Sequence, residues 1–339
     1  VGTNITVVAN YTDGHSTGET VTSAGVGPIA NINDAPTGSV TFSGTPTEDQ
    51  TLTASNTLAD AEGLGAVSDQ WQRDGVDIAG ATNSSYTLGD ADVGTNITVV
   101  ASYTDGHSTT ESVTSAGVGP IANVNDAPTG AVSISGTPTE DQTLTASNTL
   151  ADADGMGAVS YQWQRNGVDI AGATNSSYTL GDADVGTTIT VVASYTDGHS
   201  TGESVTSAGV GPIANVNDAP TGSVAIDNMT PNEGDTLTAS NTLADTDGMG
   251  IVTYQWQRDG VDIVGGTGST YTTVQADVGT VITVIATYTD GHGTLETVTS
   301  AATAAVGNVN NAPTGSVTIS GTPTEDQTLT AANTLADID

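Results

Sequence analysis

The sequence contains no cysteine and no lysine, and sets only three basic residues, Arg73, Arg165 and Arg258, with four histidines, against 39 acidic ones. Without cysteine, no disulfide staples a small domain here. Without a basic surface, nucleic acid and anionic membranes are disfavoured as partners, since counterion release at phosphates needs Lys or Arg. A formal charge of −36 makes cations the natural partners instead. No apolar run approaches the roughly 18 residues that a membrane span requires. Helical periodicity is absent, so no glycine-rich loop runs from a strand into a helix to hold a phosphate. Phe42 is the only phenylalanine and tryptophan occurs three times, which leaves little for a sugar-stacking platform.

What the chain has is repetition. Asn215-Val216-Asn217-Asp218-Ala219-Pro220 recurs as Asn123 to Pro128, as Asn31 to Pro36 with Ile32 for valine, and as Asn308 to Pro313 with Asn311 for aspartate. The closing prolines lie 92, 92 and 93 residues apart. Complete repeats are therefore expected at 36–127, 128–219 and 220–312. Residues 1–35 read as the C-terminal part of a truncated repeat and 313–339 as the N-terminal part of another. Val1 to Ile5 matches Val93 to Ile97, and Asp339 matches Asp154, so a window on a longer array is expected. Each repeat is long enough for one modest core and too short for a large cleft.

Within 128–219, Ala131 to Ser135 alternates apolar and polar residues, as a half-buried strand does, and Thr143 to Leu150 resumes the alternation through Leu144 and Ala146. After the acidic loop Asp152-Ala153-Asp154-Gly155, Val159 to Gln164 puts Val, Tyr and Trp on one face. Asn166-Gly167 is a two-residue hairpin signal, matched by Asp74-Gly75 and Asp259-Gly260. Short strands follow through Val168 and Ile170 and up to Tyr178-Thr179-Leu180. Then come the corner 181–186 and a long strand with Ile189, Val191 and Ala193 inward. Asp197-Gly198-His199 turns the chain into a last strand over 203–216. Seven short strands with turns every ten or so residues predict an all-β, two-sheet Greek-key sandwich.

A tryptophan in the third strand and Asp-x-Gly before the sixth resemble an immunoglobulin-type domain in every complete repeat: Trp71/Asp92/Gly94, Trp163/Asp184/Gly186 and Trp256/Asp277/Gly279. Two features depart from the antibody pattern. The paired cysteines are missing, and Asn96, Thr188 and Val281 stand where the corner tyrosine belongs. Trp163 reads as a core anchor. Asp69 occupies the inward position of Tyr161 and Tyr254, where a carboxylate is costly unless solvated.

Loops of such a sandwich alternate between its two ends, which sends the acidic loops of adjacent repeats to their shared joint. At the joint closed by Pro220 these are Glu140, Asp182 and Asp184 from the repeat before, Asn217 and Asp218 from the linker, and Asp245, Asp247 and Asp290 from the repeat after. At Pro128 the same set is Glu48, Asp90, Asp92, Asn125, Asp126, Asp152, Asp154 and Asp197. At Pro36, Asp60, Glu62 and Asp105 meet Asn33 and Asp34; at Pro313, Asn310-Asn311 and a lone Asp277 predict a poorer site. Two unit charges about 5 Å apart repel by roughly 3 kcal/mol at an effective dielectric near 20. So many carboxylates together must protonate, splay or bind a cation. Oxygen-only donors suit Ca²⁺ with its 6–8 ligands, not metals that prefer sulfur or imidazole.

The joint resembles that of cadherins, whose linker reads Asp-x-Asn-Asp-Asn-Ala-Pro. On that resemblance Glu140, the pair Asp182 and Asp184, the linker residues Asn217 and Asp218, the pair Asp245 and Asp247, and Asp290 would hold calcium. Asn123 and Asn215 stand where cadherins carry the leading Asp, which implies fewer or weaker ions. The competing reading is of ordinary Asp/Asn/Gly turns on a hydrated acidic surface. His15, His107, His199 and His292 sit at loop tips with no nucleophile beside them, so no enzyme is expected. Asn-x-Ser/Thr triplets abound in a Thr-rich chain and do not support glycosylation.

The segments GTPTEDQTLTA, YQWQR, DVGT and NDAP are similar to extender repeats of giant bacterial surface adhesins, of the biofilm-associated kind. That resemblance implies a secreted, cell-attached tether stiffened by calcium and by contacts between neighbouring repeats, serving attachment and biofilm formation. The alternative is a subunit of a polymerising extracellular fibre or sheath. Self-association would need a recurring apolar patch, which the Thr/Ser/Gln outer faces do not supply.

Overall fold

The computed structural model describes residues 1–339. The chain divides into two compact units, one formed by residues 1–131, 148–160 and 193–205, the other by 132–147, 161–192 and 206–339. Each of the linkers 123–128 and 215–220 thus falls, with its surrounding loops, inside a single unit.

In the first unit, strands Val40–Ser43, Thr51–Asn56 and Ser85–Thr87 pair in that order. A second sheet orders Val76–Asp77, Ser68–Arg73, Ile97–Thr104 and Thr110–Thr114. Non-sequential neighbours within two small antiparallel sheets make this an immunoglobulin-like Greek-key sandwich. Val40, Leu52, Leu58, Trp71, Ile97, Val99, Ala101, Tyr103 and Ile121, from both sheets, form one buried cluster. Trp71 lies 5.9 Å from the ring of Tyr86, and its indole N–H donates to Asn83 O at 2.9 Å. The buried ring therefore leaves no polar atom stranded.

The second unit repeats the design. Val224–Ile226, Thr236–Asn241 and Thr270–Thr272 form one sheet. Val261–Asp262, Thr253–Arg258, Ile282–Thr289 and Leu295–Thr299 form the other. Both close over Trp256, Ile282, Val284 and Ala286. Residues 128–219 carry strands of the same lengths at the same spacing, and there Ile189, Val191 and Ala193 are fully buried as their alternation predicts. Asn166 and Gly167 adopt φ of 49° and 79°, the positive pair that a tight hairpin turn demands. Asp69 is half-buried, and its burial pushes its carboxyl above the ordinary range.

The last strand is shorter than its alternation suggests. It runs only over Gly202–Thr206, after which the chain advances through single bridges, Val210 to Ile189, Ile213 to Val185 and Ala214 to Thr139. Gly211-Pro212 interrupts the ladder: proline has no N–H to give, and at Gly211, with φ of 145°, a Cβ would come within 2.5 Å of Thr187 O. The interruption lets the strand cross to the edge that leads into the next joint. Outer faces carry cross-strand hydroxyl pairs, Thr51 with Thr87 and Thr143 with Thr179, each 3.0 Å apart.

Candidate metal centres at the joints

The linkers at 123–128 and 215–220 are each tied to both of their neighbours with almost no slack. Upstream, Ala122 N donates to Pro46 O and Glu48 N to Ala122 O, both at 2.9 Å. Val124 N then donates to Glu48 Oε2 at 3.1 Å. Only two residues later, Asp126 N donates to Asp154 Oδ2 of the next repeat at 2.8 Å, and Asn125 between them donates to Glu203 Oε1 at 2.9 Å. Residues 214–218 reproduce the pattern, with Val216 N on Glu140, Asp218 N on Asp247 and Asn217 on Glu296. Nearer the N-terminus, Asp34 N reaches Glu62 and Asn33 reaches Glu111.

These bonds gather the carboxylates that the sequence points to. Glu48, Asp90 and Asp126 each bring a carboxylate oxygen within 4.8 Å of the other two, and so do Glu140, Asp182 and Asp218. Glu48 and Glu140 are 1% exposed, and the Oε1 of each is buried with no donor. Asp154 Oδ1, Asp197 Oδ2 and Asn123 Oδ1 are stranded likewise, as are Asp247 Oδ1, Asp290 Oδ2 and Asn215 Oδ1. A buried anionic oxygen without a donor costs several kcal/mol unless a cation meets it. The donors are all hard oxygens, the set that fits Ca²⁺. At the first joint, Glu62 Oε1 and Asp105 Oδ2 are stranded in the same way.

Other expected residues are held elsewhere. Asp92 accepts from Arg73 Nε at 2.8 Å, Tyr86 OH at 2.8 Å and Gly89 N at 3.0 Å, all within its own sandwich. Asp184 repeats this with Arg165, Tyr178 and Gly181, and Asp277 with Arg258, Tyr271 and Val274. With both oxygens engaged inside their own sandwiches, Asp92 and Asp184 lie outside the two carboxylate groups that the joints bring together. Asp60, Asp152 and Asp245 each accept a tyrosine hydroxyl, from Tyr103, Tyr195 and Tyr288, which orients the acidic loop. Asn123 and Asn215, read from the sequence only as a weakened leading position, carry stranded oxygens, and sequence reasoning missed the glutamates Glu111, Glu203 and Glu296 that catch the linker asparagines. Their one-per-repeat recurrence was the available signal.

The electrostatics carry the same message. Burial, then Asp90, pushes the Glu48 carboxyl above its usual range; for Glu140 the close contact with Asp182 leads and burial follows. Asp126 and Asp218 are raised by burial and by neighbouring aspartates. A group raised on folding stabilises fully below its unfolded value, near pH 4, and loses that contribution as pH climbs through the folded value. In EDTA the chain is therefore expected to melt at higher temperature near about pH 5 than near about pH 7.5, as differential scanning calorimetry would read. If these oxygens hold calcium, the order is expected to reverse in its presence, because protons compete for the same oxygens. Asp197 and Asp290 run the opposite way. Burial raises them, but backbone N–H groups from Thr201 and His199, and from Thr294 and His292, hold them below their usual range. Their contribution is lost only on acidification below about pH 4.

Sandwiches repeated along the chain, with carboxylate-lined linkers between them, define the class: a tandem array of immunoglobulin-like domains. No family model matches the sequence, and no curated protein matches it either. Among solved structures the chain is similar to a Ca²⁺-stabilised adhesin with which an Antarctic bacterium reaches out and binds ice, at 15% identity over 90% of this chain and 81% of that one, TM-score 0.30. It is also similar to a tetra-tandem repeat from the extending region of a large adhesion protein (20%, 89% and 82%, TM-score 0.33). A third, from a 1.5-MDa bacterial ice-binding adhesin, matches at 13% identity over 82% of this chain and all of that one, TM-score 0.28. At identities and TM-scores this low, what the chain does has to be read from its own joints.

Proposed function

We propose that this chain is an extender segment of a bacterial surface adhesin, an extracellular tether whose joints bind Ca²⁺ and stiffen on doing so. Its units are the repeats 36–127, 128–219 and 220–312. The observation that carries the reading is the pair of buried glutamates, Glu48 and Glu140, whose stranded oxygens face two aspartates at successive joints. A cation there bridges the upstream sandwich through Glu140 and Asp182 and the linker through Asp218. The stranded Asp247 and Asp290 extend the oxygen set onto the repeat that follows. Outside a cell calcium is millimolar, so a dissociation constant on the order of 10⁻⁴–10⁻³ M suffices. Such a protein holds something away from a surface; it turns over no substrate.

Small-angle X-ray scattering on the chain, with millimolar Ca²⁺ and then with excess EDTA, tests the reading. Chelation is expected to shorten the maximum dimension and lower the melting temperature. Identical scattering and melting in both conditions would leave a plain hydrophilic spacer.

A further inference from the structure

We propose that the joint at 308–313 locks without a metal, two side-chain amides standing in for the cation. The proposal rests on the calcium reading of the two joints before it. Glu233 keeps the position of Glu48 and Glu140, while Gln275 replaces Asp90 and Asp182, and Asn311 replaces Asp126 and Asp218. The backbone frame is retained: Gly307 N donates to Pro231 O at 2.9 Å and Glu233 N to Gly307 O at 2.8 Å. Asn311 N donates to Asp339 Oδ2, as Asp126 N does to Asp154.

What changes is the filling. Asn311 Nδ2 lies 3.3 Å and 3.4 Å from the two oxygens of Glu233, and 3.1 Å from Asp339 Oδ1. With the Gln275 amide assigned so that its nitrogen, not its oxygen, faces the carboxylate, it donates to the same oxygens at 3.2 Å and 2.9 Å. Neither oxygen of Glu233 is stranded, unlike the Oε1 of Glu48 and of Glu140. Asn311 is a near-isosteric amide of the aspartate it replaces and Gln275 an amide one methylene longer, each with two N–H donors, so negative charge that needed a cation has become donors that replace one. Mere decay of a metal site would strip charge and leave Glu233 without partners. Here both substitutions point at it. Chelation would then loosen the joints at 123–128 and 215–220 and leave this one shut, giving one chain both calcium-dependent and calcium-independent joints.

Calcium titration calorimetry on the full 339-residue chain tests this with three variants. Glu140→Gln is expected to remove calcium uptake at its joint, while Glu233→Gln leaves total uptake at the wild-type value. The double variant Asn311→Asp, Gln275→Asp is expected to take up one further ion, with affinity within about tenfold of the other joints. Loss of uptake in Glu233→Gln, or no gain in the double variant, overturns the amide lock and leaves the calcium reading of the other joints standing. If Glu140→Gln also leaves uptake unchanged, the calcium reading falls, and the contrast built on it falls with it.

Discussion

Asp184→Ala is expected to lower the melting temperature of its repeat by roughly 10–20 °C while sparing calcium uptake; Asp182→Ala, two residues away, is expected to do the reverse. Both residues sit in the single 3-10 turn Asp182–Asp184, yet they face different surroundings. Asp184 is 1% exposed and accepts from Arg165 Nε at 2.7 Å, Tyr178 OH at 2.8 Å and Gly181 N at 3.0 Å. Removing it takes the acceptor away from a half-buried tyrosine hydroxyl and an N–H, and leaves the Arg165 guanidinium a 3.5 Å contact to Tyr178 OH in place of an ion pair. Breaking a buried pair costs about 3–5 kcal/mol. Arg165 is 31% exposed, and its access to water brings the expected loss down to about 2–4 kcal/mol. Asp182 is exposed and meets only the like charges of Glu140 and Asp218. On the calcium reading its loss removes a ligand, and it relieves repulsion in any case. Calorimetric melting and calcium titration on the two variants separate the roles; matching losses in both assays would contradict the assignment.

Glu140→Gln should change sign with calcium. In EDTA the variant keeps an oxygen for Val216 N and gains an amide that can donate to Asp182 and Asp218. It loses the charge whose ionisation the site resists, so its melting temperature is expected to equal or exceed that of the unchanged chain. In calcium the joint loses its most buried ligand, and affinity there is expected to fall on the order of 100-fold. A crossover between the two melting curves as calcium rises is the signature. A variant less stable under both conditions would make Glu140 a structural residue of its sandwich.

The sandwich was legible because its signals are local. Alternation over Ile189, Val191 and Ala193 gives the buried face directly, and Asn166-Gly167 gives the hairpin. The convergence of loops at the joints was legible too, since topology alone carries Glu140, Asp182 and Asp218 to one end. The division between Asp182 and Asp184 was not. It depends on the 3-10 turn directing the second side chain back toward Gly181 and Arg165. A clue did exist: the only three cations in the chain fall two residues after each tryptophan, and an arginine so placed asks for a carboxylate across the sheet. Asn123 and Asn215 read in the sequence as a weakening, amides where the cadherin linker carries a leading Asp. Their stranded oxygens become visible only once the backbone is closed around them.

Calcium-soaked crystals of the chain, with anomalous difference maps, test the central claim most directly. The account predicts a peak about 2.3–2.6 Å from oxygens of Glu140, Asp182 and Asp218, a matching one at Glu48, Asp90 and Asp126, and none beside Glu233. Empty density at Glu140 in millimolar calcium, with its carboxylates splayed into solvent, would contradict it.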